Sequence, residues 1–206
     1  MALSFPLALP SSCAARYIKL RAHSTVGLQI SPFTREQTAY VHQGEVWSID
    51  VQYPPLVRAN AEDVIGFLVG LNGMEGTFTA GQPGYATPRG TWAGSPKVLS
   101  AHAAGVKSIA MDGFSAGATV KRGDWLQTGS GSSAHLHKIV QDGAADGSGL
   151  LTLEVWPRTR AALADNDTFV TSNPMGLWRL DMDEAQWNYA LGQVYRGLSF
   201  SAIEAL

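Results

Sequence analysis

Residues 117–160 restrict the fold more than any other stretch. Turn residues recur every few positions, at Arg122-Gly123-Asp124 and again across 142–149. Between them lie Trp125-Leu126-Gln127, residues 134–141 and residues 150–156, which read as short strands, the last stopped by Pro157. None is long enough for a stable helical stripe, and short strands at such spacing predict a sandwich or barrel.

The rest of the chain reads the same way. Residues 16–21 alternate polar and apolar side chains, and 25–30 continue the pattern after a break. Residues 38–42 and 45–53 flank Gln43-Gly44, which predicts a β-hairpin. In its second arm Trp47, Ile49, Val51 and Tyr53 share the face expected in the core. Strands are also expected near 106–111, with Asp112-Gly113 as a turn, and at 168–171, 177–180 and 193–201.

One helix is expected at about 60–72. Asn60 can cap it, Glu62 and Asp63 suit its N-terminal end, and Asn72-Gly73 stops it. Ala61, Val64, Ile65, Leu68, Val69 and Leu71 form its apolar stripe. Residues 81–90 are crowded with turn formers, marking a long loop of the kind that carries function or contacts. The expected class is therefore mainly β, a sandwich or barrel with one short helix and long loops. Residues 1–15 form an N-terminal arm. Residues 16–160 form the core domain with the 81–96 loop. Residues 161–206 form an aromatic C-terminal extension.

Composition narrows the partners. A net charge of −2 with 16% charged residues argues against a grip on nucleic-acid phosphates. A 45% hydrophobic content argues against a mainly disordered chain. The single cysteine, Cys13, cannot form an intramolecular disulfide and is expected to be a small packing residue. No apolar run reaches the length of a membrane span. The apolar start lacks a basic n-region and is broken by Pro6 and Pro10, so it is read as an ordered or swapped arm rather than a signal peptide.

Several motifs invite chemistry, and each has a plainer reading. His135 and His137 share one face of a strand, but a metal needs further ligands. Asp142 and Asp146 sit among glycines without the ligand ladder of a calcium loop. Arg122-Gly123-Asp124 spells an adhesion tripeptide, yet also suits a turn. Gly113-Phe114-Ser115-Ala116-Gly117 matches the nucleophile elbow in letters, but β-branched residues follow where a helix is required. A Ser115 hydrolase is one alternative. A β-sandwich carbohydrate-binding module, stacking sugars on Trp92, Trp125 or Trp156, is another.

Taken in order, these segments carry a resemblance. Gly123-Asp124-Trp125-Leu126-Gln127, His137-Lys138-Ile139-Val140, Asp146-Gly147-Ser148-Gly149 and the run from Leu153 to Trp156-Pro157-Arg158-Thr159-Arg160 resemble the siphophage distal tail and minor tail protein family. Ser4-Phe5-Pro6, the helix with Phe67-Leu68 and Leu71-Asn72-Gly73, and Gly197-Leu198-Ser199-Phe200-Ser201 are similar too. The resemblance implies a virion protein, made in the host cytoplasm, that closes into a ring at the distal end of the tail. Such rings, typically hexamers, join tail tube to tail tip and leave a lumen for DNA. The implied partners are further copies of the chain, the tail tube protein, the tail-tip hub protein and the tape measure protein. No catalytic residue, metal or cofactor is implied. Contacts between copies are expected at Phe5, at Tyr85 and Trp92 in the 81–96 loop, and at Trp178, Tyr195 and Phe200.

Overall fold

The computed structural model describes residues 3–191 and 194–206. Met1 and Ala2 of the expected N-terminal arm, and Gln193 at the head of an expected closing strand, lie outside them. The protein is mainly β, with 43% strand against 8% helix, so the expected class holds. The chain opens with β1 (Leu7–Ala8), β2 (Tyr17–His23), β3 (Val26–Ile30), β4 (Gln37–Val41), β5 (Val46–Gln52) and β6 (Leu56–Val57). Helix α1 (Arg58–Gly70) follows, then β7 (Thr77–Gly81), β8 (Gly94–Val98), β9 (Ser108–Phe114), β10 (Thr119–Val120) and β11 (Trp125–Thr128). The second half adds β12 (His135–Ile139), β13 (Gly143–Ala144), β14 (Leu151–Trp156), β15 (Met175–Leu180), β16 (Asn188–Ala190), β17 (Val194–Arg196) and β18 (Ser199–Glu204).

Two sheets form the body. The first runs β1-β7-β15-β18-β5-β2, and the second runs β11-β12-β14-β9-β8. Alternation in β5 places Trp47, Ile49, Val51 and, just beyond it, Tyr53 inside, as their shared face predicts. They pack with Phe78, Trp178, Phe200 and the buried face of α1. The second core is built on Ile109, Met111, Leu126, Ile139, Leu153 and Val155. Strands β11 and β12 serve both cores: Trp125 and Leu136 belong to the first, Leu126 and Ile139 to the second. Successive side chains of a strand point to opposite faces, so this pair is a wall shared by two cores.

The helix begins two residues before the expected start. Val57 is its N-cap and no side chain caps it, so Asn60 sits inside the helix. Glu62 accordingly falls beyond the first residues and accepts the Tyr195 hydroxyl at 2.8 Å. Phe67 is buried in the stripe and Val69 points out, 59% exposed. The stop is as expected: Asn72 and Gly73 both take positive φ, 50° and 64°, which β-branched residues resist.

Three organisational expectations change. The stretch 161–206 is not an extension, because β15 and β18 are internal strands of the first sheet. Residues 38–42 do not pair with 45–53: β4 pairs with β3, and β5 pairs with β2 and β18. Asp112-Gly113 is not a turn but part of β9, where Gly113 takes φ 75° beside the irregular pairing with β8.

Candidate functional site

The most distinctive surface grows out of the first sheet. Strands β2 and β5 pair from Tyr17↔Gln52 up to His23↔Val46. Above that point residues 24–25 lie opposite 42–45, and the ladder resumes as β3–β4, from Val26↔Val41 to Ile30↔Gln37. The mismatch is a bulge. His42 N–H donates to Thr25 O at 3.0 Å, and the Thr25 hydroxyl donates to Gly44 O at 3.0 Å. A Cβ at Gly44 would overlap the Thr25 hydroxyl, so the bulge requires glycine there. At the far end Ser31 N–H donates to Glu36 O, and Arg35 takes φ 60°.

The result is a β-arm that pairs with nothing else. Strands β3 and β4 form their own two-stranded sheet, and residues 22–44 are exposed apart from half-buried Ser31. One face carries Val26, Leu28 and Ile30 opposite Val41, Ala39 and Gln37. Val26, Leu28 and Val41 are 51%, 57% and 58% exposed, and Phe33 at the tip is 94% exposed. The other face is more polar, with Tyr40 hydroxyl donating to Gln29 Oε1 at 3.2 Å. An isolated hairpin is marginal in water. Free edges are ordinarily protected by lysine or proline. Neither strand contains a charged residue or a proline. Such a surface is suited to being covered by another chain.

The residues expected at contacts between copies lie mostly elsewhere. Trp178 and Phe200 are 1% and 2% exposed in the first core, which leaves them no face for a neighbour. The Trp178 indole donates to Ala80 O at 2.9 Å. Tyr195, 9% exposed, packs on Tyr189 and is held by Glu62. Trp92, at 8%, belongs to the second core. Phe5 keeps 40% of its surface, but a Cβ at Gly76 would meet its ring, so the N-terminal stretch lies on its own chain. Leu7 and Ala8 pair there with Phe78 and Thr79.

The 81–96 loop is fastened down. Asp124, fully buried, accepts from the backbone N–H of Arg89 (2.8 Å), Gly90 (3.0 Å) and Lys121 (3.1 Å) and from the Trp92 indole (3.1 Å). Burial alone raises this carboxyl, but those donors outweigh it and hold it below the usual aspartate range. Half-buried Tyr85 adds a second fastening, its hydroxyl accepting Trp125 N–H at 2.9 Å. Tyr85 and Trp92 thus hold the loop to the body. The same burial removes the adhesion reading of Arg122-Gly123-Asp124, since the carboxylate meets no solvent.

The other chemical motifs resolve into local structure. His137 is fully buried, with Nδ1 2.9 Å from Pro157 O and Nε2 3.1 Å from the Thr128 hydroxyl. Burial pushes its pKa down to about 4. Among the described residues, no three metal-ligating side chains converge. Asp146 Oδ1 accepts Ser148 and Leu150 N–H, closing a turn. Ser115 lies in the turn after β9, and β10 follows where an elbow needs a helix. Trp125, 2% exposed, packs on Trp47 and offers no free ring face to a sugar, and half-buried Trp156 meets Trp47 in a T-shaped contact.

The sequence reading missed the arm because Gln43-Gly44 looks like a turn. The available signal was two uncharged alternating runs, 26–30 and 37–41, flanking Ser31-Pro32-Phe33. Among the described residues no helix is long and apolar enough to cross a membrane. No protein-family model matches the chain, and no curated protein matches it.

Proposed function

We propose that this protein is a structural component of a siphophage tail, assembled from copies of the chain into a ring at the distal end. The ring, a hexamer by its resemblance, joins the tail tube protein to the tail-tip hub and leaves a lumen for DNA. The tape measure protein would meet it from within. Placement in a tail rests on the ordered motifs between Gly123 and Arg160. The observation that carries self-assembly is the uncovered β-arm. Its span of residues 24–44 matches the roughly 20–30 residues that one side of a standard interface uses. A cyclic assembly lets each copy offer an arm and receive one, so every arm is covered. The mechanism is geometric, and the near-neutral chain suits a lumen that passes DNA without gripping it.

Sedimentation and electron microscopy of the purified protein test this reading. A discrete closed ring is expected. A clean monomer at micromolar concentration, with no ring in the images, would overturn it.

A further inference from the structure

The arm leaves the body through a cluster of buried charge. Glu45, the residue after Gly44 in the bulge, is 3% exposed. Its carboxylate lies 2.6 Å from Lys107 Nζ, accepts Arg158 N–H at 3.0 Å and faces Arg158 Nε at 3.7 Å. Its own carbonyl accepts from the Arg160 guanidinium. That guanidinium also grips Glu204 with two bonds, Nε to Oε1 at 3.1 Å and Nη2 to Oε2 at 2.7 Å. Glu204 Oε2 in turn accepts Trp47 N–H at 3.2 Å, and the Trp47 indole donates to Leu136 O at 2.9 Å. Burial raises the Glu45 carboxyl, but Lys107 and Arg158 outweigh it and keep it below the usual glutamate range.

The four members that meet Glu45 and Trp47 come from three other parts of the body. Lys107 precedes β9, Arg158 and Arg160 follow β14, and Glu204 ends β18. The backbone of residues 45–47 is therefore held by both sheets at once. At its root His23 Nε2 lies 2.8 Å from Ser48 Oγ, and above that the described contacts of the arm are its own exposed ladder, the two bulge hydrogen bonds and Gln43 beside Gly105. Buried ion clusters stabilise little compared with an apolar core of the same volume, and their best-attested use is to fix one geometry among several.

We infer that the Glu45–Lys107–Arg158–Arg160–Glu204 cluster is a positioning device that fixes the direction in which the β-arm leaves the body. The inference deepens the assembly reading above, because an arm that meets its receptor in one orientation loses less freedom on binding.

Spin labels at Phe33→Cys on the tip and Ser148→Cys in the turn before β14 test it, in a Cys13→Ser background. Leu28→Ser is added to weaken a neighbour's hold on the arm, and the labelled chain is diluted in unlabelled Leu28→Ser protein so that only distances within one chain are read. The distance distribution between the labels is read by double electron–electron resonance. With the cluster intact it should be narrow. Glu45→Gln should broaden it at least about twofold while the protein stays folded. Lys107→Met, at a partly exposed cluster member, should broaden it in the same sense and decides the matter if Glu45→Gln does not fold. Asp50→Asn, on the outer face of β5 and paired with Arg21, should leave it narrow. An unchanged width in the cluster variants, or equal broadening by Asp50→Asn, overturns the inference. The readout is intramolecular, so it stands whether or not the wild-type protein forms a ring, and ring failure is seen separately by sedimentation.

Discussion

The ladder β2–β5 and the arm β3–β4 are one pairing continued across a bulge, and they end in opposite surroundings. Below the bulge Trp47, Ile49 and Val51 are 5%, 1% and 1% exposed. Above it Val26, Leu28 and Val41 keep half or more of their surface. Both stretches alternate apolar and polar side chains. The lower one faces α1 and the shared wall of β11 and β12, while the upper one is left exposed in a two-stranded sheet of its own. Covering an aliphatic side chain is worth about 1.5–3 kcal/mol. The body realises that gain on folding, and the arm leaves it unrealised.

Three experiments bear on this contrast. Trp178→Ala removes a ring that is 1% exposed and orphans the Ala80 carbonyl it serves. It should lower the unfolding free energy by about 3–5 kcal/mol in a guanidinium titration. A loss under about 1 kcal/mol would mean the first core is not the stable frame from which the arm projects.

Acidification should act on the body nearly as strongly. The unfolded chain protonates His137 near its ordinary value, while burial holds the folded group neutral down to about 4. The unfolded state therefore binds the extra proton as pH falls from about 6.5 to about 4, and stability drops over that window by about 3 kcal/mol. His137→Gln should flatten this part of the profile. A wild-type profile that is already flat there would place His137 in a wetter site than the structure gives it.

Leu28→Ser should show the smallest effect on folding and a clear one on assembly. Leu28 is 57% exposed, so the unfolding free energy should change by less than about 0.5 kcal/mol. Self-association should weaken about tenfold or more, since a central apolar contact is lost. Assembly at wild-type strength would put the interface elsewhere on the surface.

Much of the body was legible from local patterns. The face shared by Trp47, Ile49, Val51 and Tyr53, the Asn72-Gly73 stop and the turn of 146–149 follow from period-two alternation and from turn chemistry, and both are local, whereas Gly143 and Ala144 of the expected turn cluster form β13 against β10. The aromatic residues proposed as contacts were not legible. A tryptophan in a strand looks the same whether it packs on a helix or on a second subunit. Trp92 and Tyr85 illustrate this, since it is Asp124 and the Trp125 backbone, more than thirty residues away, that hold them down.

By itself the sequence determined the mainly β class, the single helix and the turn character of its chemical-looking motifs. Each depends on residues within a few positions of one another. The tertiary structure decided which strands pair, that β15 and β18 lie inside the first sheet, and that β3 and β4 form a separate exposed ladder. It also decided that Glu45 meets Lys107, Arg158 and Arg160. Those outcomes depend on burial and on charge pairs far apart in the chain, and alternation alone marks a face as apolar without saying what covers it.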